Sequence, residues 1–187
     1  MKKLFTITLP VLASVLIFSC GDNSTGDSTT KANDTSEHAD HVSADSSSNT
    51  IATVNVKDDK LNAIYQHYVH LTTALVNNDA AEAKIASNAI EAGAKELPGG
   101  TSIATSAAKI TNAADIEGQR TAFSTLSNDF IALVKKSGLS SGELYVDFCP
   151  MAMNDKGAYW VSAKKEIRNP YFGDKMLTCG EVKETIK

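Results

Sequence analysis

The chain has 187 residues, of which 42% are hydrophobic and 21% charged, enough to bury one modest core and too few for several domains. Its formal charge is −4, and beyond Lys2 and Lys3 no basic run supplies the footprint that a phosphate backbone needs, which argues against nucleic acid as a partner. A Gly-rich phosphate loop, H-E-x-x-H, G-x-S-x-G and C-x-x-C are all missing from the sequence, so no enzyme signature is present.

Residues 1–19 read as an export signal: Lys2 and Lys3 precede an apolar run from Leu4 to Phe18 that is short for a bilayer span. The run closes with Ile17-Phe18-Ser19-Cys20-Gly21, which resembles a lipobox, although Phe18 stands where a small residue is usual. The expectation is acylation of Cys20, a membrane partner through that lipid anchor, and a place in the cell envelope, facing the periplasm or at the cell surface. Each acyl methylene buried contributes about 0.8 kcal/mol to such an anchor. The alternative is an ordinary secretory signal with an incidental cysteine.

Residues 20–56 are mostly Ser, Thr, Asp, Asn and Ala, a composition that cannot offset the entropy of ordering its backbone. They are expected to be a flexible tether. His38 and His41 within it would meet an ordering cost on binding metal, which favours reading them as incidental.

From residue 57 onward the pattern becomes helical. Leu61, Ile64, Tyr65, Tyr68, Leu71 and Leu75 recur at spacings of three and four until Asn77-Asn78-Asp79, which predicts a first helix. Asp79 caps a second, through Ile85, Ala86, Ala89, Ile90 and Gly93, stopped by Leu97-Pro98-Gly99-Gly100. Thr101 to Ala114 predicts a shorter third helix, and Asp115 caps a fourth whose stripe of Ile116, Phe123, Leu126, Phe130, Leu133 and Val134 ends at Gly138. Short connections favour an antiparallel bundle of about four helices. After Gly138, Glu143 to Phe148 and Gly157 to Val161 read as short strands, with turns at Asn169-Pro170 and Gly173-Asp174. The fold class expected for residues 57–187 is therefore mainly α, a helical bundle with a small, irregular, β-containing C-terminal module.

Sulfur is confined to that module. Apart from Met1 and Cys20, every Cys and Met lies in it: Cys149, Met151, Met153, Met176 and Cys179. If the first segment is extended, alternation points Cys149, Met151 and Met153 to one side. Thiolate and thioether are soft donors suited to Cu(I) or Ag(I). A structural disulfide between Cys149 and Cys179 is an equal reading for an exported domain and would contribute roughly 3–4 kcal/mol. A zinc site from Cys149, Cys179, His67 and His70 lacks the usual closely spaced ligand pair. His67 and His70 lie three apart on the first helix and would be secondary ligands only if that helix packs over the module; otherwise they are half-exposed helix residues. A thiol oxidoreductase would need a lowered pKa at Cys149, with Cys179 resolving.

Three segments carry a resemblance: Phe148-Cys149-Pro150-Met151-Ala152, Gly157-Ala158-Tyr159-Trp160, and the run from Glu166 to Gly180. With Ala74 to Asp79 and Arg120 to Phe123, they resemble a domain-of-unknown-function family found as stand-alone lipoproteins and at the C-terminus of membrane-fusion (adaptor) subunits of copper and silver efflux pumps. Relatives often carry His before the Cys of Cys-Pro-Met, where Phe148 stands here. The resemblance covers roughly Leu61 to Val182. It implies handling of a soft metal in the periplasm, an efflux pump or its adaptor as partner, and no established catalytic activity.

Overall fold

A computed structural model describes residues 53–187; the export signal, Cys20, His38 and His41 lie outside the described residues. Four helices carry the bundle: α1 (Asp59–Val76), α2 (Ala80–Lys95), α3 (Thr101–Asn112) and α4 (Ile116–Ser137). Three begin at an aspartate whose carboxylate accepts backbone N–H groups: Asp58 from Leu61, Asp79 from Ala81 and Glu82, and Asp115 from Gly118. Such caps satisfy donors that the first turn leaves unpaired and typically contribute about 1 kcal/mol each. Gly138, at φ 77°, ends α4 in a conformation that other L residues avoid.

Each helix packs on its chain neighbour, and α4 closes back on α1. Their facing stripes bury Ile64, Leu71 and Leu75 of α1, Ile90 of α2, Ile103 and Ile110 of α3, and Phe123, Leu126 and Phe130 of α4, none more than 1% exposed. Tyr68 stacks on Phe130 at 4.4 Å between ring centres. Small residues bring α1 and α2 together, since a Cβ at Gly93 would lie 3.0 Å from Ile64. The mainly helical class with small antiparallel sheets is therefore as the sequence predicts. Among the described residues, no helix is long and apolar enough to cross a membrane.

Two sheets complete the fold. Strand β1 (Asn55–Val56) pairs antiparallel with β2 (Leu139–Ser141), and β3 (Leu144–Cys149) lies between β4 (Ala158–Ser162) and β5 (Glu181–Ile186), antiparallel to both. The predicted tether therefore runs slightly too far. Asn55 and Val56 form β1, because Val54 and Val56 are buried and the backbone of Val56 donates to Asn62 of α1 at 2.9 Å. The inner face of the larger sheet packs on the bundle, with Trp160 of β4 buried and the backbone N–H of Val161 donating to the Tyr68 hydroxyl at 3.1 Å. A short turn, α5 (Ala152–Asp155), joins β3 to β4, and a 3-10 turn (Gly173–Met176) precedes β5.

Candidate functional site

Strand β3 ends at Cys149, whose thiol is fully buried. Cys179 approaches it from the last loop and is half-buried. Asn169 holds that loop, donating its side-chain N–H to the Cys179 carbonyl at 2.8 Å while its backbone N–H donates to the Leu177 carbonyl at 2.8 Å. Gly180, at φ 143°, lets the chain pass between Trp160 and β3; a Cβ there would lie 2.9 Å from the indole and 3.1 Å from the Phe148 carbonyl oxygen. This close passage delivers Cys179 to Cys149. Their sulfurs, both free thiols, stand 2.9 Å apart.

Two outcomes are chemically near. Loss of two protons and two electrons to an external oxidant, with closure by under about 1 Å, makes a disulfide bond of about 2.05 Å. Opening further, with loss of both thiol protons, lets both sulfurs take one soft ion between them as thiolates. The hydrogen bond with Cys149, then burial, pushes the Cys179 thiol above its ordinary pKa, the reverse of the activation a catalytic thiol needs.

Met151 and Met153 do not share with Cys149 the strand face that alternation suggests. Pro150 has no N–H with which to continue the ladder, and β3 stops before it. Met153, Asn154 and Asp155 then adopt positive φ values of 55°, 56° and 61°. The segment is a left-handed turn rather than a strand, so the expected single face of Cys149, Met151 and Met153 does not exist. Met151 is 48% exposed, Met153 packs half-buried at the core's edge, and both line a groove of about 750 Å³ against Glu117, Thr121 and Ser124 of α4. Met176 lies one turn before Cys179, half-buried, and its carbonyl accepts the Cys179 N–H at 3.1 Å.

His67 and His70 are exposed on α1, and His70 pairs with Glu82 of α2 at 2.9 Å. Among the described residues no three His, Cys, Asp or Glu side chains converge as a metal site, so the zinc set of Cys149, Cys179, His67 and His70 is not assembled. The reason is rotational: α1 turns Tyr65 and Tyr68 inward and leaves both histidines outward. Trp160 and Tyr171 form packing behind the sulfurs, edge to face at 6.0 Å, and the Tyr171 hydroxyl donates to the Tyr159 carbonyl at 2.6 Å. Phe148 packs on Tyr159 with the rings tilted by 39° and 4.5 Å between centres. Glu166 and Arg168 form an exposed pair at 3.8 Å.

Two residues of consequence escaped notice in the sequence as site residues. Arg120 is buried and donates from Nε to the Pro170 carbonyl (2.9 Å), from Nη2 to the Leu75 carbonyl (2.9 Å) and Asn78 Oδ1 (2.7 Å), and from Nη1 to Glu117 (2.8 Å). Gly173 makes room for it: with φ at 59°, a Cβ there would lie 2.9 Å from Nη2. Asp147, two residues before Cys149, is fully buried, and neither carboxylate oxygen has a partner. The signal was one acidic residue inside an otherwise apolar strand.

Burial pushes the Asp147 carboxyl up to about 7, above the unfolded value of about 3.9. The native state then keeps a proton that the unfolded chain has released, so stability falls as pH rises from about 4 to about 7. Asp147→Asn is expected to flatten that slope and to raise stability at pH 8 by as much as roughly 3–4 kcal/mol. Urea denaturation at pH 5 and pH 8 measures it; equal slopes for the two proteins would contradict the assignment.

Residues 64–142 match the model of a family described as protein of unknown function (DUF3347). The match runs from within α1 to just beyond β2 and covers the bundle, ending before the strand that carries Cys149. No curated protein and no solved structure matches the chain.

Proposed function

We propose that the chain is an envelope lipoprotein, anchored at Cys20, that captures Cu(I) or Ag(I) between Cys149 and Cys179 and holds it or passes it to an efflux system. The observation that supports this most is the placement of two free thiols 2.9 Å apart, one fully buried and one reachable from solvent. Soft thiolates bind these ions with as few as two donors, where harder ions need more and different ligands. The concentration of sulfur in the C-terminal module and the resemblance of that module to efflux-associated domains point the same way. The role is binding and exchange; no catalytic step is proposed.

An anaerobic Cu(I) titration of the full chain against a competing chelator, with free thiols counted beforehand, tests the reading. Tight uptake of one ion per two free thiols is the expected result. A second reading is favoured by the same 2.9 Å separation. In it Cys149 and Cys179 form a disulfide that clamps the module, and the bundle docks on an envelope partner. Absent free thiols together with absent uptake select it.

A further inference from the structure

We propose that Met151 and Met153 form a separate thioether site in the groove beside α4, where a soft monovalent ion lands before it passes to the thiol pair. The proposal rests on the metal-binding reading of Cys149 and Cys179, and its test separates the two.

The backbone sets the arrangement. Three consecutive non-glycine residues, Met153 to Asp155, hold left-handed values that L side chains ordinarily avoid. Such conformations persist only where the surroundings enforce them, and they cluster at ligand-binding sites. Here the turn is closed by the N–H of Gly157 on the Ala152 carbonyl at 2.9 Å and rooted by Ala152, which is buried. Continued strand would place Met151 and Met153 beside the Cys149 face. The turn moves them into the groove instead, with Met151 among the few large apolar side chains left exposed among the described residues.

The groove suits a cation that needs soft donors. Glu117 and Asp155 stand at its wall, but Arg120 pairs with Glu117 and Lys156 offsets Asp155, so the wall is near neutral and the soft donors themselves favour the ion; Tyr171 lines it as well. Thioethers carry no proton, so they take up a soft ion with nothing to release. The thiols differ, because each must lose a proton before it binds as thiolate, and Cys149 has no exposed surface of its own. Transfer breaks two metal–thioether bonds and forms two metal–thiolate bonds. Two protons leave to water, and the ion stays monovalent throughout. Only Pro150 lies between Cys149 and Met151 in the chain, so their Cα atoms stand within about 7 Å of each other.

The test uses Ag(I), which has no redox chemistry here, on the reduced full chain carrying carbon-13-labelled methionine methyl groups. In the Cys149→Ser/Cys179→Ser variant, the Met151 and Met153 methyl signals are expected to shift together and to saturate at one ion. Methyl signals that stay in place overturn the site. With both cysteines present, Met151→Leu/Met153→Leu is expected to slow loading of the thiols by about tenfold or more while changing their equilibrium affinity by less than about threefold. An unchanged loading rate overturns the transfer, and it does so without touching the thiol site. Wild-type thiols that take up no silver while the methyl signals still move would remove the proposed function and leave the thioether site standing. The swap nearly conserves volume, and circular dichroism of both variants checks that they are folded.

Discussion

Arg120→Met is expected to destabilise the protein by roughly 3–5 kcal/mol, the range for removing one partner of a buried, charged hydrogen-bond network. The guanidinium is 1% exposed and joins parts that are distant in sequence: the C-terminal end of α1 through Leu75 and Asn78, its own helix through Glu117, and the last loop through Pro170. Its loss strands the buried Pro170 carbonyl, at about 1–3 kcal/mol without a donor, and leaves the Leu75 carbonyl with the longer bond from the Asn78 backbone N–H at 3.3 Å. The Glu117 pair contributes little, because that carboxylate is largely exposed. Arg120→Lys should recover only part of the loss, since one ammonium cannot reproduce a planar fork aimed at four acceptors. Urea denaturation of the three proteins measures the series. An Arg120→Met protein within about 0.5 kcal/mol of wild type would show that the clasp is incidental.

The clasp bears on the thiols as well as on stability. Pro170, which accepts from Arg120, follows Asn169, and Asn169 holds the Cys179 carbonyl. Asn78 extends the network to Asp174 at 2.7 Å. Segments far apart in the chain, Ala74 to Asp79, Arg120 to Phe123 and Glu166 to Gly180, thus meet at a single buried arginine. That convergence holds the loop that brings Cys179 to Cys149.

The helices were legible because period and punctuation agree. Apolar residues recur every three or four positions, and Asp79 and Asp115 stand where caps belong. Strands β3 and β4 were legible from their apolar runs. By contrast β5 was not, because Glu181 to Thr185 are exposed at the sheet edge and carry charges that edge strands use against unwanted pairing. The course of the chain after Cys149 was misread for a local reason. Pro150 ends the ladder, and the left-handed turn that follows contains only Gly157 as a recognised signal for positive φ, with Asn154 and Asp155 tolerating it. The meeting of Cys149 with Cys179 depends on a loop closure across 30 residues, which spacing alone leaves as one arrangement among several.

Cys149→Ser/Cys179→Ser is expected to weaken Cu(I) binding by roughly a thousandfold or more, well beyond the 10- to 100-fold typical for residues that merely support a metal ligand. Serine keeps the size and replaces a soft donor with a hard one, so the packing against Trp160 and Tyr171 should persist while affinity is lost. The same variant also separates the two readings of the sulfur pair through a second measurement. If the pair is a disulfide, the wild-type chain should lose roughly 3–4 kcal/mol of stability on reduction, as expected for closing a loop of this length, and the variant should match the reduced form. If the pair is a metal site, the stabilisation should appear only when the ion is added and should grow with its concentration as binding linkage requires. Thermal unfolding of wild type and variant, each oxidised, reduced, and reduced with silver, therefore assigns the pair: a gain that follows the oxidant marks a clamp, and a gain that follows the ion marks a carrier.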